Sequence, residues 1–186
     1  RFLEMGKTDI RSQEEIAASH PGVRYQAYDL LEAGDDRMAE MWDELMAMNL
    51  RGMFLSCRAV FPAMKAQGKG KLINIASSTF FKGVPDYIHY TTSKGGVVGM
   101  TLPIARDLGA VGIRVNTIAP GLIDTPIYGT GEASEAFKEN LQKGVLFPKR
   151  LGTGEEFATL ALELLTNSYM NAVDIRVDGG IRMQPK

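Results

Sequence analysis

Tyr90 and Lys94 stand four residues apart in a stretch with helical patterning, so they project from one face and can approach each other. A phenol has a pKa of about 10 and is a poor base at neutral pH. A neighbouring ammonium favours the phenolate and lowers that pKa, which makes such a tyrosine a usable proton donor and acceptor. Alone the pair is weak, because a tyrosine and a lysine at this spacing also occur on solvated helix faces. Two further residues strengthen it. Ser77 ends an apolar run upstream of Tyr90, where its hydroxyl either faces a ligand or caps a local turn; Ser78 serves the turn equally well. Asn49 is a polar side chain on the apolar face of a Met-rich helix, sharing that face with Leu45 and Met53 at four-residue spacing. A buried amide needs partners, so Asn49 either satisfies backbone groups or anchors an internal water.

The elements that must position these residues alternate strand and helix. Residues 24–29 follow the turn signal His20-Pro21-Gly22 and predict a short strand ending at Asp29. Helical patterning runs from about Ala39 to Lys65 and is stopped by Gly68-Lys69-Gly70, after which Lys71–Ser77 predicts a largely buried strand. A polar and aromatic stretch, Ser78–Asp86, leads to a second long helix over Tyr87–Leu108. Ile113–Ala119 predicts another strand, broken by Pro120-Gly121. The segment Leu122–Arg150 patterns weakly, with a short helix over Ser134–Lys143. A helix over Glu155–Leu165 and a strand over Val173–Asp178 follow. Near-continuous apolar strands separated by helices predict an α/β fold, a Rossmann-like doubly wound parallel sheet covered on both faces, as one domain over residues 1–186. Ligands of such sheets lie beyond the carboxyl ends of the strands, where Asp29, Ser77 and Pro120-Gly121 all fall.

Composition narrows the class of ligand. At 186 residues the chain holds one domain with a real core. Its net charge of -1 offers neither a basic footprint for nucleic acid nor a polybasic patch for anionic lipid. No apolar run is long enough to cross a bilayer, and Arg1 does not open a signal peptide. Cys57 is the single cysteine, which excludes an internal disulfide and a zinc cluster, fits a reducing, cytoplasmic setting, and reads as a buried structural thiol. The expectation is a small-molecule ligand, with no metal, nucleic acid or membrane partner.

Five motifs in order carry a family resemblance: Met48-Asn49-Leu50-x-Gly52-x-Phe54; Ile73-Asn74-Ile75-Ala76-Ser77; Tyr90-x-x-x-Lys94-Gly95-Gly96; Ile113-Arg114-Val115-Asn116-x-Ile118-Ala119-Pro120-Gly121; and Arg176-Val177-Asp178-Gly179-Gly180. Together they resemble the core of the short-chain dehydrogenase/reductase family. The run Gly99–Leu108 and the tail Asp178–Pro185 look like its hydroxyacyl-CoA dehydrogenase branch. The resemblance implies hydride transfer between NAD(H) and a secondary alcohol or ketone, with 3-hydroxyacyl thioesters or small hydroxy acids as substrates to test. Tyr90 would be the general acid in reduction and the base in oxidation. Lys94 would lower the Tyr90 pKa and bond the nicotinamide ribose, Ser77 would polarise the substrate oxygen, and Asn49 would hold a water in a proton relay to Lys94. Pro120-Gly121 would turn the backbone toward the nicotinamide, where the Ile123 main chain could bond the carboxamide and the Thr125 hydroxyl the cofactor. Asp9 would grip the adenosine ribose and, by repelling a 2′-phosphate, favour NAD over NADP; Asp29 would meet the adenine amino group. Substrate would sit over Ser77 and Tyr90, beneath Ile127–Pro148. Phe80, Phe81 and His89 would border that pocket, His89 as a pocket wall or surface residue. Homodimers or homotetramers through the two long helices are implied.

The sequence also departs from the family. The glycine-rich phosphate loop and the first strand are absent; Phe2-Leu3-Glu4-Met5-Gly6 resembles the tail of the helix after that loop, which leaves almost no room for the second strand before Asp9. Between Asp29 and Asn49 the family's fourth strand and its crossover do not fit. Either residues of the protein lie outside these 186, the favoured expectation, or the chain is truncated and has exposed apolar strand edges. The truncated alternative makes it a non-catalytic Rossmann-like scaffold that has lost its cofactor loop.

Overall fold

The computed structural model describes residues 2–5, 25–28, 35–84 and 87–181. The chain divides into two compact units, Arg1–Glu44 and Leu45–Lys186. In the first, β1 (Phe2–Met5) and β2 (Tyr25–Tyr28) pair in parallel, with Phe2 opposite Tyr25 and Met5 opposite Tyr28. This corrects the reading of Phe2–Gly6 as a helix tail. Four residues are too few for a period to declare itself, and pairing with β2 decides the conformation. The segment is therefore itself a strand. Asp9 and Asp29 lie outside the described residues.

Helix α1 (Asp35–Leu45) ends at the boundary between the units. The second unit continues with a π-helical segment (Met46–Arg51) and α2 (Gly52–Gln67). The π segment shifts the register, so the straight α-helical face drawn through Leu45, Asn49 and Met53 does not hold across it. Gly68 ends α2 in the left-handed region at φ 63°, its N–H donating to the Lys65 carbonyl. Then come β3 (Gly70–Ile75), a short helix α3 (Thr79–Lys82), α4 (Ile88–Gly109), β4 (Ile113–Pro120), a 3₁₀ turn (Pro126–Tyr128), α5 (Glu132–Gln142), α6 (Gly154–Thr166) and β5 (Asp174–Val177). The weakly patterned segment 122–150 thus carries one real helix, and the strands bear out the expected α/β fold with parallel pairing. The order is β3-β4-β5, all parallel, with Gly70 opposite Ile113 and Thr117 opposite Asp174.

Strand β4 is central, and its sequence shows why. Ile113, Val115, Ile118 and Ala119 are all at most 1% exposed, so both faces are covered. On one side Thr117 meets Thr101 of α4 through a 2.6 Å hydroxyl pair, and Ala119 packs with Ala76 and Val97. On the other, the Arg114 guanidinium donates to the carbonyls of Leu164, Met170 and Leu165 at 2.9, 2.6 and 3.0 Å, closing the end of α6. Asn116 and Asn171 add side-chain bonds that tie 170–173 to β4. Helix α6 starts with a capping box in which Thr153 accepts from the Glu156 N–H and the Glu156 carboxylate accepts from the Thr153 N–H. No helix among the described residues is long and apolar enough to cross a membrane. Cys57 is buried, as expected, and its thiol donates to Asn74 Oδ1 at 3.3 Å. Burial pushes that thiol's pKa up.

Candidate active site

Ser77 follows the carboxyl end of β3, and the sheet's backbone bonding carries on past the strand: Ala76 N–H donates to Ile118 O and Ser78 N–H to Pro120 O. Ser77 is therefore fixed at the ligand edge by β4. Its Oγ accepts two hydrogen bonds, from the Thr79 N–H at 3.2 Å and the Thr79 hydroxyl at 3.0 Å. Helix α3 presses against α4 because α4 carries glycine where a side chain would collide. A Cβ on Gly95 would meet the Phe80 ring at 2.6 Å, and one on Gly96 would meet Leu50 at 2.8 Å. The Gly95-Gly96 pair thus brings the Ser77 and Asn49 segments against the helix that carries Tyr90 and Lys94.

On α4, the Lys94 ammonium donates to the Ile75 carbonyl at 3.1 Å and lies 5.7 Å from the Tyr90 ring centroid. Burial lowers the Lys94 pKa. Tyr90 is pushed above 10 by burial first, while the nearby Ser77 hydroxyl works in the opposite direction and Tyr87 adds to the rise. The Tyr90 pKa is thus raised where the resemblance implied that Lys94 lowers it: desolvation outweighs the neighbours. Asn49 Nδ2 donates to Ser93 Oγ at 3.1 Å, and Ser93 Oγ donates to the Tyr90 carbonyl at 2.8 Å. Asn49 is thus tied to the Tyr90 turn by a hydroxyl that sequence reasoning missed. Ser93 sits three residues after Tyr90, on the turn between the two candidates, and that position was the available signal. Thr79 was missed as well; its signal was the Ser-x-Thr spacing after an apolar strand.

Beyond β4, Gly121 N–H donates to Val177 O, and Ile123 forms an isolated parallel bridge with Gly152. The bridge bonds run through the residues beside Ile123: Asp124 N–H to Gly152 O at 2.8 Å and Gly152 N–H to Leu122 O at 2.9 Å. The N–H and C=O of Ile123 itself have no partner among the described residues. Thr125 follows in extended conformation with its hydroxyl unbonded among them. A cleft of about 180 Å³ borders this loop, lined by Leu122, Ile123, Val145, Gly152, Val177 and Asp178. The Asp178 carboxylate takes the Gly180 N–H on Oδ1, and its Oδ2 lies at ion-pair distance, 3.7 Å, from Arg176 Nε, beyond hydrogen-bond reach. Tyr128 in the segment above is raised in pKa by burial first, then by Asp124, and also by Tyr90, so this segment comes within electrostatic reach of the phenol.

His89 is 1% exposed and neither ring nitrogen has a partner among the described residues, so the surface alternative for it is withdrawn. Burial lowers its pKa. Phe80 and Phe81 are exposed and meet edge to face at 5.0 Å.

The residues present fit the nicotinamide end of a dinucleotide by their donor set. Lys94 has two N–H donors left after Ile75, and the free main chain of Ile123 suits a carboxamide. Asp9 and Asp29, the residues expected at the adenosine end, lie outside the described residues.

A family model described as enoyl-(acyl carrier protein) reductase matches residues 25–182. The 3-hydroxyacyl-CoA dehydrogenase type-2 of Bos taurus is 45% identical over 152 residues, 78% of this chain and 58% of the relative. Its Homo sapiens counterpart is 43% identical over 161 residues, 83% and 61% respectively. Among solved structures, a 3-hydroxyacyl-CoA dehydrogenase type-2 from Mycobacterium avium superposes with a TM-score of 0.70 at 38% identity, covering 78% of this chain and 57% of that one. A provisionally named 2-deoxy-D-gluconate 3-dehydrogenase from Agrobacterium tumefaciens with bound NADP gives 0.69 at 33% identity, covering 82% and 61%. The chain spans 58% and 61% of the length of the two mammalian relatives.

Proposed function

The chain belongs to the short-chain dehydrogenase/reductase family, and from that premise we propose that it is an oxidoreductase acting between a nicotinamide dinucleotide and a secondary alcohol or ketone. The observation that carries the reading is the convergence of Ser77, Tyr90 and Lys94 at the carboxyl edge of β3, with two acceptor bonds already fixed on Ser77. When bound, the dinucleotide supplies or accepts the hydride. The chain's own residues do the rest. Ser77 donates a hydrogen bond to the substrate oxygen, and Tyr90 passes a proton to that oxygen in reduction and takes it back in oxidation. Lys94 favours the phenolate and holds the ribose. Asn49 keeps its carbonyl oxygen for a relay water, with one of its two amide N–H donors bonded to Ser93. Pro120-Gly121 set the course of the loop, Ile123 holds the carboxamide and Thr125 the cofactor.

The substrate class is a 3-hydroxyacyl thioester or small hydroxy acid, the reading supported by two mammalian relatives named for 3-hydroxyacyl-CoA. NAD is favoured because Asp9 supplies a carboxylate that repels a 2′-phosphate, with Asp29 at the adenine; the NADP-bound relative makes cofactor choice the first quantity to measure. Residues 1–186 act as one dinucleotide-binding domain, a reading supported by a family match that runs across both units. Assembly as a homodimer or homotetramer and a cytoplasmic setting complete the proposal. The test is NAD(H)-linked turnover of 3-hydroxyacyl-CoA by the purified protein and its Tyr90→Phe variant. Loss of general acid–base catalysis lowers the rate by about 10²–10⁴-fold with the circular dichroism unchanged; near-normal turnover in Tyr90→Phe sinks the mechanism.

A further inference from the structure

We propose that Thr79 is a positioning residue for Ser77: by filling both acceptor sites of the Ser77 hydroxyl, it leaves that group only a proton to give and aims it at the oxygen held beside Tyr90. The inference rests on the oxidoreductase reading above and extends it to a residue outside the Asn49, Ser77, Tyr90 and Lys94 set.

A serine hydroxyl has one donor and two acceptor sites. Thr79 donates to Ser77 Oγ twice, from its backbone N–H at 3.2 Å and its hydroxyl at 3.0 Å. Ser77 is only 9% exposed, so water does not freely replace these bonds. Its remaining valence is the O–H, and the group beside it is the Tyr90 phenol. A hydroxyl with free lone pairs can rotate and accept a proton-bearing group, including the protonated phenol. One with both lone pairs occupied cannot. Thr79 therefore makes Ser77 a donor in both directions of the reaction, toward the phenol oxygen before substrate arrives and toward the substrate oxygen afterwards. No bond of Ser77 or Thr79 breaks; the proton that moves is the one on Tyr90.

The scaffold holds Thr79 to this task. Helix α3 is fixed on one side by Phe80 in the space that Gly95 leaves, and on the other by the Arg176 guanidinium, 5.1 Å from the Phe81 ring centroid. Arg176 is in turn beside the buried Asp178 carboxylate. A four-residue helix has little stability of its own, so these contacts set where the Thr79 hydroxyl points.

The test uses Thr79→Val, close to threonine in shape, with Thr79→Ala as a second variant if valine crowds α3, and Thr79→Ser as the conservative control. Two quantities are read. The ultraviolet titration of Tyr90 is isolated as the difference between each protein and the same protein carrying Tyr90→Phe, and kcat and KM are measured with NAD(H) and a 3-hydroxyacyl-CoA. Loss of the Thr79 hydroxyl moves the Tyr90 titration to higher pH and lowers kcat by about five- to tenfold, the scale of one hydrogen bond, with KM within about twofold. Thr79→Ser restores both. A Tyr90 titration in Thr79→Val and Thr79→Ala that coincides with the unsubstituted protein overturns the proposal, whatever happens to stability. Absence of turnover in the unsubstituted protein together with a shifted titration leaves the role of Thr79 standing and removes the oxidoreductase reading.

Discussion

Lys94→Met removes one charge from the site while keeping most of the side-chain volume. In the structure the ammonium lies 5.7 Å from the Tyr90 ring centroid and donates to the Ile75 carbonyl. Burial disfavours charge on both partners, lowering the Lys94 pKa and raising that of Tyr90. In the proposed reaction the phenolate needed for alcohol oxidation would have to be stabilised against desolvation, and the Lys94 ammonium is the charge proposed to do it. Taking the 5.7 Å to the ring centroid as the charge separation, with an effective dielectric constant of about 20, that attraction is about 3 kcal/mol, which corresponds to about a hundredfold in rate. Water entering the vacated space screens part of the loss, so the expected fall in kcat is about 30- to 100-fold. The sign of the pH effect is fixed by the same argument. The ammonium favours the basic form of Tyr90, so its removal shifts the alkaline rise in oxidation rate to higher pH. The Ile75 carbonyl also loses a partner, which costs about 1–3 kcal/mol of stability and is measured separately by urea unfolding. Initial rates of NAD-linked alcohol oxidation across pH, for both proteins, decide the matter. A kcat within about threefold of the unsubstituted protein, with an unmoved alkaline limb, refutes the placement of Lys94 as the phenolate's counter-charge.

Arg114→Ala removes a guanidinium that donates to three carbonyls around the end of α6. Discounting the exposed Leu165 bond, the expected loss is about 2–4 kcal/mol, read as a urea midpoint lower by about 1–2 M; an unchanged midpoint contradicts the role. Glu156 is held at a pKa of about 2 instead of 4.5, chiefly by its hydrogen bonds from Arg150 at 2.7 and 2.9 Å and then by the Thr153 N–H. The depressed value means that the unfolded chain takes up this proton first. The contribution is complete above 4.5 and is lost as pH falls toward about 2. Glu156→Gln should therefore flatten the acid side of the thermal-midpoint profile in that window, and profiles of equal slope would count against the pair.

What was legible in the sequence follows from length and two-sided burial. β4 was readable because Ile113–Pro120 is covered on both faces and is apolar at Ile113, Val115, Ile118, Ala119 and Pro120. α4 was readable from its long helical patterning, and the Tyr90–Lys94 spacing placed two candidate groups on one face. Shorter features escaped. Phe2–Met5 has four residues, α3 has four, and neither shows a period. The π segment at Met46–Arg51 adds to the turn without any residue type that announces it, and it determines where Asn49 points. The direction of the Tyr90 shift was beyond the sequence for a different reason. Spacing names a phenol's neighbours, but the opposing term is burial, and burial is a property of the whole packed unit.

That opposing term also explains how the site divides its labour. Exposed charge in this unit is met by exposed charge where Arg150 meets Glu156, and the half-buried Lys138 lies 3.0 Å from the exposed Asp124. At the carboxyl edge of β3 the bonds are of another kind: hydroxyl to hydroxyl, amide to hydroxyl, ammonium to main-chain carbonyl. None of these bonds is a salt bridge, and burial disfavours the charged form of both Tyr90 and Lys94. Hydrogen bonds of this sort fix direction at little electrostatic cost, and in the proposed reaction the energy of separating charge would be deferred until a substrate oxygen shares it. Under the proposed reading, orientation would be set in advance by Thr79, Ser93 and the Ile75 carbonyl, and charge would develop only during proton transfer, where its stabilisation lowers the barrier instead of deepening the resting state.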